Sequence, residues 1–229
     1  MDDGGEPTVS FVVPARNEAA YLPATLDSIR GLDSSVAHEV VVVDGDSEDA
    51  TPDVAREYGT RLVTEPGRGA GAARHLGAER ARGDWLAFVD ADTVVEPAYL
   101  ETMLAFVHAR DLRGAASLCR VDGPARVRVF EWLFNRVLPR LSPPPFPGFH
   151  VFVERAAYFD VGGFASGPNE DMTFTRRFGR AYPTDVCPEH LVETSGRRIE
   201  EMGLAGTLSY YTRREWTRQW TLRFGDGSG

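Results

Sequence analysis

The sequence predicts an α/β fold in which a doubly wound, mostly parallel sheet has helices on both faces and a helical tail follows. Short runs of β-branched and aromatic residues alternate with segments of helical spacing through the first hundred residues, as in a sheet built from strand–helix units. The run at 40–43 consists of four valines, and a continuous apolar strand indicates burial on both faces. Polar loops containing Gly or Asp follow the predicted strands, at the edge where open α/β sheets bind ligands.

The individual elements follow from local spacing and from the residues that stop helices and strands. In the first half, strands are predicted at 9–13, 40–43, 61–63 and 85–89, and helices at 18–30, from 49, at 70–82 and at 96–109. In the second half, strands are predicted at 115–121 and 149–153, an amphipathic helix at 124–141 and a proline-stiffened loop at 142–148. Asn169 is expected to cap a helix that runs from Glu170 to about Arg180, and the segment at 199–224 is predicted to be helical.

Composition and charge exclude several classes of protein. The chain has 34 acidic and 25 basic residues, a formal net charge of −9, which argues against general nucleic-acid binding. A hydrophobic content of 42% is enough for a packed core, and no run approaches the roughly 20 apolar residues of a transmembrane helix. The acidic, polar first residues do not resemble a signal peptide. A cytoplasmic protein with reduced thiols at Cys119 and Cys187 is therefore expected.

The loop after the fourth predicted strand contains two acidic residues, Asp90 and Asp92, separated by one alanine. Two carboxylates in this arrangement can converge on one hard cation such as Mg²⁺ or Mn²⁺, which also keeps waters and substrate phosphates in its shell. The alternative is that an Asp here caps the next helix. The loops at 14–18, 44–47 and 65–68 are expected at the same edge, and together they predict a crevice of nucleotide size.

Several segments, in their order and spacing, resemble the inverting family 2 glycosyltransferases of GT-A fold. They are 9–28, 40–51, 67–93, the Gly-Gly-Phe sequence at 162–164, the Asn-Glu-Asp sequence at 169–171 and the arginine pair at 176–177. The resemblance implies a Rossmann-like GT-A fold that transfers a sugar, with inversion, from a nucleoside diphosphate sugar to a hydroxyl acceptor, assisted by Mg²⁺ or Mn²⁺. It also implies a catalytic domain at 1–198, divided into a nucleotide-binding half (1–93) and an acceptor-side half (94–198), before a basic, aromatic tail at 199–229.

The resemblance further implies a role for each matching residue. Asp171 would be the general base that deprotonates the acceptor hydroxyl, and Asp44 would accept a hydrogen bond from the base of the donor nucleotide. Asp92 would be the main metal ligand, with Asp90 near the metal and the ribose. The other donor-binding positions that it implies are Pro14, Ala15, Glu18, Arg68, Glu170 and Arg177.

From residue type alone, several of these positions also have a structural interpretation. Asp44 suits a turn, Asp171 suits the first turn of a helix, and Arg68 and Arg177 suit exposed helix surfaces. His75 stands where the family often has Asn, and a surface position on its helix is expected for it.

Three basic segments belong to the acceptor side or to the end of the chain. Those at 124–140 and 209–224 combine arginines with aromatic residues, and basic amphipathic helices can lie at a membrane interface. This predicts peripheral contact with the inner face of a membrane and a lipid-linked acceptor; core packing with a rim of arginines is the alternative. The Thr-Ser-Gly-Arg-Arg sequence at 194–198 resembles a motif of some bacterial and archaeal branches, which implies that it folds over the phosphates; a helix cap with exposed charge is the alternative.

Two alternative functions stay open on the sequence. A retaining sugar transferase or a nucleotidyltransferase on a related fold would use the same nucleotide edge. A non-catalytic donor-binding subunit of a glycan-assembly complex would need that edge without the general base. A nicotinamide dehydrogenase is disfavoured because the first strand–helix turn lacks the Gly-x-Gly-x-x-Gly sequence.

Overall fold

The computed structural model describes residues 8–141, 143–165, 167 and 170–197, which form one eight-stranded sheet and the helices around it. The strands are β1 (Val9–Ala15), β2 (His38–Asp44), β3 (Arg61–Thr64), β4 (Trp85–Val89), β5 (Thr93–Val95), β6 (Gly114–Asp122), β7 (His150–Glu154) and β8 (Thr184–Ser195). The helices are α1 (Leu22–Arg30), α2 (Thr51–Glu57), α3 (Ala70–Arg80), α4 (Tyr99–Ala109), α5 (Arg128–Trp132), α6 (Arg155–Asp160) and α7 (Glu170–Ala181).

The strand order is β3-β2-β1-β4-β7-β6-β8-β5. The first four strands in this order are parallel neighbours, whereas β7 is antiparallel to both β4 and β6. The pair β6–β8 is parallel and the pair β5–β8 is antiparallel. Within the described residues the sheet is therefore parallel in its first half and mixed in its second, and the α/β class predicted from the sequence is confirmed.

Alternate residues of the central strands belong to two apolar layers, one on each face of the sheet. On β2, Val42 lies in the layer that contains α1 and α4, and Val41 and Val43 lie in the layer that contains α3 and α7. All three valines are completely buried, which confirms the prediction of a strand covered on both faces. Helix α3 lies very close to the sheet, because a Cβ at Gly77 would come within 2.3 Å of Val12 Cγ1.

Two predicted helices begin later than their sequence spacing indicates. Helix α1 begins at Leu22 rather than at residue 18, because a turn precedes it in which the carbonyl of Glu18 accepts hydrogen bonds from the amides of Tyr21 and Leu22. Helix α4 begins at Tyr99 rather than at residue 96, because the residues before it form β5 and a turn. The other predicted elements of the first half lie within two residues of their observed bounds.

The prediction of one continuous helix at 124–141 is wrong. The segment consists of a 3₁₀ turn at Ala125–Val127, α5, a π-helical turn at Leu133–Val137 and a 3₁₀ turn at Leu138–Arg140. Pro139 has no amide hydrogen, so a regular helix would lose one of its hydrogen bonds here. A single 3.6-residue period therefore does not describe which of its side chains face the core.

Three elements, β5, α6 and β8, have no counterpart in the sequence prediction. Strand β8 has 12 residues, but Pro188 interrupts its pattern and its register with β6 shifts between Ser117 and Cys119, as expected where proline enters a strand. The predicted cap Asn169 and the predicted helical tail at 199–224 lie outside the described residues. Within the described part of the chain, no helix is long and apolar enough to span a membrane.

Candidate active site

The loops that follow β1 to β4 meet at one edge of the sheet, where the sequence predicts the crevice. They border a cavity of about 120 Å³. Four of the residues that line it are predicted donor-binding positions. Among its lining residues are Pro14, Ala15, Glu18, Glu65, Arg74 and Asp90.

A larger cavity of about 460 Å³ lies at the other end of β4, where that strand begins. None of the predicted site residues lines it. Two of its charged residues already pair with each other, since Arg113 Nη1 lies 3.0 Å from Glu154 Oε1. We place the candidate site at the smaller cavity, because the carboxyl ends of parallel strands are where such sheets bind ligands.

Asp44, at the end of β2, has one carboxylate oxygen that the protein does not satisfy. Its side chain is buried, and Oδ2 accepts a hydrogen bond from the amide of Ser47 at 3.4 Å. Oδ1 is also buried but has no hydrogen-bond partner among the described residues. A buried acceptor left unpaired is costly. A turn explains the Ser47 contact but leaves Oδ1 unsatisfied. The next residue, Gly45, lines the cavity.

Arg68 is held at the rim of the cavity by Glu65. Arg68 Nε donates to Glu65 Oε1 at 2.6 Å, and its main-chain amide donates to Oε2 at 2.8 Å. The Glu65 side chain is fully buried, whereas 62% of the Arg68 side chain is exposed. Gly67 and Gly69 have φ angles of 71° and 106°, which glycine adopts without steric cost. This turn keeps the guanidinium of Arg68 beside the cavity, and the buried carboxylate of Glu65 partly offsets its positive charge.

A buried arginine on α3 gathers the acidic residues of the site, and the sequence prediction missed it. Arg74 Nη2 lies 2.7 Å from Asp90 Oδ1 and 2.9 Å from the carbonyl oxygen of Gly148, and Nη1 lies 3.2 Å from Glu170 Oε1. Burial by itself would lower the pKa of this guanidinium, but the charges of Asp90, Glu170 and Asp171 raise the pKa above its ordinary value. Arg74 is therefore a permanent cation among carboxylates.

One feature of the sequence could have identified Arg74 as a buried residue, namely its position in a helix composed mainly of small residues. Helix α3 reads AGAARHLGAER, and its first half is buried. An arginine on such a face needs acidic partners, because a buried charge without a partner is very costly. Its partners come from distant parts of the chain, so the sequence offered no way to name them.

Two glycines let the backbone approach the Glu170–Asp171 pair closely. A Cβ at Gly71 would lie 2.5 Å from the carbonyl oxygen of Ala165 and 2.7 Å from Glu170 Cγ. A Cβ at Gly148 would lie 2.8 Å from Asp171 Oδ2. Both acidic residues begin α7. The predicted general base, Asp171, is near enough for its charge to raise the pKa of the Arg74 guanidinium, as Asp90 of the acidic motif also does.

Asp92, the second acid of that motif, lies beside another arginine. Its Oδ2 is 3.2 Å from Arg197 Nε, and Arg197 also pairs with Glu18. Burial would lower the pKa of Arg197, but the hydrogen bond to Glu18 and the charges of Glu18 and Asp92 raise it. Arg197 stands in the segment that the sequence singled out at 194–198, and Arg198 lies outside the described residues.

The two carboxylates of the acidic motif fit a cation that takes only part of its shell from the protein. In the ranges that the structure describes, no group of three or more His, Cys, Asp or Glu side chains could hold a metal ion by itself. Mg²⁺ usually binds through one or two carboxylates and completes its shell with waters and substrate phosphates, and Mn²⁺ favours the same oxygen ligands. Asp90 and Asp92 supply that number of carboxylates, and in this structure each is paired with an arginine.

The Gly-Gly-Phe loop is fixed by side chains beneath it. Tyr158 Oη accepts a hydrogen bond from the amide of Phe164 at 3.0 Å and lies 3.1 Å from His75 Nδ1. Arg177 donates to the carbonyl of Gly163. The expectation that His75 lies on the helix surface holds in part: its side chain is 34% exposed and its Nε2 lies 3.8 Å from Glu79, while the other side of the ring packs against Tyr158. Arg177 holds the loop, and its implied role in donor binding stays a prediction.

A buried histidine lies behind the acidic motif. His150 pairs in the sheet with Val89, the residue before Asp90. Its Nδ1 accepts a hydrogen bond from the amide of Ser117 at 3.1 Å, and Nε2 lies 2.9 Å from Tyr99 Oη. Burial lowers the pKa of His150 to about 3. A neutral ring whose Nδ1 accepts must carry its hydrogen on Nε2, so His150 donates to Tyr99.

The fold places a cavity lined by acidic and basic side chains at the carboxyl edge of an α/β sheet, the edge where such sheets bind ligands. Residues 10–166 match the family described as Glycosyl transferase family 2. The chain belongs to glycosyltransferase family 2. The resemblance inferred from the sequence motifs is thereby confirmed.

Two curated relatives come from Haloferax volcanii. Glycosyltransferase AglE is 33% identical over 229 aligned positions, which cover 87% of this chain and 72% of AglE. Low-salt glycan biosynthesis hexosyltransferase Agl6 is 35% identical over 200 positions, which cover 86% of this chain and 45% of Agl6. The chain spans less than half the length of several curated relatives that it matches.

Solved structures with the same fold include two glycosyltransferases. Mannosyltransferase PcManGT from Pyrobaculum calidifontis, in complex with GDP-Man and Mn²⁺, has a TM-score of 0.70 at 21% identity, covering 92% of this chain and 64% of PcManGT. S. aureus TarS 1-349, in complex with UDP-GlcNAc, has a TM-score of 0.68 at 20% identity, covering 82% of this chain and 58% of TarS 1-349. These likenesses confirm the expected GT-A fold.

Proposed function

We propose that the chain transfers a sugar from a nucleoside diphosphate sugar to a hydroxyl acceptor, with inversion at the anomeric carbon. The observation that best supports this is that Asp90 of the acidic motif and Glu170, the neighbour of Asp171, both form ion pairs with buried Arg74. The charge of Asp171 also raises the pKa of this guanidinium. Residues 1–93 would bind the donor and residues 94–198 would face the acceptor. Such a transfer needs stabilisation of the departing diphosphate and a base for the acceptor hydroxyl, and the acidic motif and Asp171 would supply them.

Donor binding is assigned to the loops around the small cavity. The unsatisfied Oδ1 of Asp44 offers a buried acceptor to a ring N–H of the base, and Pro14 and Ala15 form part of the wall. PcManGT was solved with GDP-Man and TarS with UDP-GlcNAc, and guanine and uracil both have a ring N–H. Arg68 would offset negative charge on the diphosphate, since arginine binds phosphate oxygens strongly.

A divalent cation would be held by Asp92, with Asp90 beside it. When bound, Mg²⁺ or Mn²⁺ would supply Lewis-acid stabilisation of the departing diphosphate. The protein's own part is to hold the motif still. Arg74 fixes one oxygen of Asp90, which leaves the other oxygen for the ribose or the metal. The Asp92 carboxylate faces Arg197 in this structure, so it would have to turn toward the cation.

Asp171 is assigned as the general base. Its Oδ1 accepts the amide hydrogen of Met172 at 2.7 Å, which orients the carboxylate. In a single displacement the acceptor oxygen forms a bond to the anomeric carbon while the bond to the diphosphate oxygen breaks, and the hydroxyl proton passes to Asp171. Attack opposite the leaving group inverts the configuration. Glu170, tied to Arg74, anchors the beginning of α7 so that Asp171 keeps its place.

A thermal-shift screen of nucleoside diphosphate sugars, with and without Mn²⁺, tests donor binding. Ligands that bind only the folded chain raise its melting temperature, and we expect one or two donors to do so in the presence of Mn²⁺. Asp44→Asn should lose this response, because it exchanges an acceptor oxygen for a donor group. The matched control Asp53→Asn alters an acid whose side chain is 72% exposed and should respond like the parent. No response of the parent to any donor would contradict the proposal.

The acceptor side contains an exposed stripe that combines aromatic and basic character. Val129 and Trp132 lie in α5, and Arg136 and Arg140 lie in the π-helical and 3₁₀ turns that follow it. Val129 is 58% and Trp132 60% exposed, and both arginines are exposed. Core packing accounts for the neighbouring aromatic residues of this segment, but it does not account for Trp132.

We infer that this stripe rests on an anionic membrane surface and that the acceptor is lipid-linked. The stripe is basic in a chain whose net charge is −9, and interfacial helices combine such arginines with a tryptophan. It also lies near the proposed base. Phe134 packs edge-on against Phe149 with ring centres 5.4 Å apart, and the residue before Phe149 is Gly148, where an added Cβ would lie 2.8 Å from Asp171 Oδ2.

Flotation with lipid vesicles tests the membrane contact. The parent should float with phosphatidylglycerol vesicles and not with phosphatidylcholine vesicles, and salt should weaken the binding because it screens exposed charges. Trp132→Ala should reduce flotation strongly, whereas Val94→Ala, at another exposed apolar position (39% exposed), should not. No flotation of the parent at moderate salt would contradict the membrane contact and leave donor binding untouched.

A further inference from the structure

Arg197 joins the acidic motif to the wall of the nucleotide cavity. It pairs with Asp92 and with Glu18, which lines the cavity, and its guanidinium lies 4.1 Å from the centre of the Tyr21 ring. The side chains of Glu18 and Asp92 are 8% and 7% exposed, and that of Arg197 is 22% exposed. Water therefore screens these pairs weakly, and they interact more strongly than surface ion pairs do.

Strand pairing fixes the backbone from which Arg197 projects. Thr194 of β8 pairs with Thr93 of β5, and their hydroxyl groups are 2.9 Å apart. The amide of Ser195 donates to the carbonyl of Asp92 at 3.2 Å. The guanidinium therefore starts from a position that the sheet holds next to the acidic motif.

We propose that Arg197 competes with the divalent cation for Asp92, and thereby lowers the affinity of the nucleotide-free protein for that cation. The inference rests on the metal site proposed above. A cation bound to Asp92 would lie about 2 Å from its carboxylate oxygen, while Arg197 Nε is 3.2 Å from Oδ2. Two positive charges so close repel each other. The cation therefore binds fully only when Asp92 leaves Arg197.

The contact with Glu18 makes this exchange feasible. Arg197 Nη2 donates to Glu18, whereas Nε approaches Asp92 without an aligned hydrogen bond. The guanidinium can thus stay on Glu18 while the Asp92 carboxylate turns to the cation. Glu18, which lines the cavity, would keep its ion pair with Arg197 throughout this exchange.

The test measures Mn²⁺ affinity without nucleotide, from the electron paramagnetic resonance signal of free Mn²⁺. We expect Arg197→Gln to bind Mn²⁺ at least roughly five-fold more tightly than the parent, which is the lower end of the range for two coupled binding events. Arg197→Lys keeps the charge and should lie between them. The control Arg120→Gln removes a charge from the nearby pair with Glu96 and should match the parent. Thermal unfolding of each variant establishes that it is folded.

Each other outcome has a definite meaning. An unchanged or lower Mn²⁺ affinity in Arg197→Gln would overturn the competition, and the metal site would stand if Asp92→Asn abolishes binding. An equal gain in Arg120→Gln would also overturn it, because the effect would then be long-range charge alone. No Mn²⁺ binding to the parent, even with a nucleoside diphosphate, would overturn the metal site and the competition together.

Discussion

Arg74 Nη2 lies 2.7 Å from Asp90 Oδ1, and this ion pair joins helix α3 to the loop after β4. Both side chains are shielded, with 5% and 17% of their surfaces exposed. The same guanidinium holds Glu170 at the start of α7. The acidic edge of the sheet is therefore assembled around one buried cation.

Replacement of Arg74 by glutamine leaves these carboxylates without their cation. Removal of one partner from a buried ion pair costs about 3–5 kcal/mol, and we expect the free energy of unfolding in urea to fall by about that amount. Arg56→Gln is the control, since it breaks a pair with Asp53 in which both side chains are exposed (63% and 72%); its cost should be about 1 kcal/mol or less. Equal losses would contradict the role given to Arg74.

Asp171→Asn tests the general base. An amide cannot take up the acceptor proton, so transfer should fall by roughly 10²- to 10⁴-fold while donor affinity stays close to that of the parent. Release of nucleoside diphosphate, with a lipid extract as acceptor source, measures transfer. Asp111→Asn, at a side chain that is 95% exposed, should keep full activity.

The same experiment separates the alternative functions. Undiminished transfer by Asp171→Asn would remove Asp171 as the base, and a parent that binds donor without transferring it would favour a non-catalytic subunit. Nuclear magnetic resonance of the product gives its anomeric configuration. Inversion is expected, and retention would exclude the single displacement. Release of pyrophosphate would instead favour a nucleotidyltransferase.

Gly148→Ala should displace the base without touching the donor loops. A Cβ at this position would lie 2.8 Å from Asp171 Oδ2, so the carboxylate must move. A displacement of about 1 Å can cost about 10²-fold in rate, and we expect a loss of that order with unchanged donor affinity. Gly31→Ala, where the nearest atom to the new Cβ is a carbonyl oxygen at 3.2 Å, serves as control. Full activity of Gly148→Ala would contradict the placement of Asp171.

His150 should make stability depend on pH in acid. Its folded pKa is about 3 and the ordinary value is 6.5, so the unfolded chain takes up a proton first as pH falls. The neutral, buried ring of His150 therefore contributes fully to the free energy of unfolding above pH 6.5, and this contribution is lost between pH 6.5 and about 3. In that range the free energy of unfolding falls by at most about 1.4 kcal/mol per pH unit. His150→Gln should show a shallower slope in this range than His108→Gln. Equal slopes would contradict a buried neutral histidine.

The first half of the fold could be predicted because its strands have local signals. The observed bounds of β4 are those predicted, since an apolar run between polar residues needs no knowledge of its neighbours. Strand β8 could not be predicted, because it depends on pairing with β6 and β5 and contains Pro188. Its pattern is informative only once those partners are known.

The residues of the candidate site likewise include some that local sequence predicts and some that it does not. The loops with Asp44 and Asp90 could be placed together because the carboxyl ends of parallel strands share an edge. Arg74 could not be recognised, since its contacts with Gly148 and Glu170 span 74 and 96 residues of the chain. Its function depends on packing between elements, for which a single sequence has no local signal.

Isothermal titration calorimetry with the donors from the thermal-shift screen tests most directly whether Asp44 and Asp92 form one nucleotide-sugar and metal site. We expect saturable binding in Mn²⁺, much weaker binding in chelator, and loss of the metal-dependent part in Asp92→Asn. Asp44→Asn should weaken binding with and without metal. Equal donor affinity of the parent in Mn²⁺ and in chelator, together with parental affinity in both variants, would contradict the proposed site.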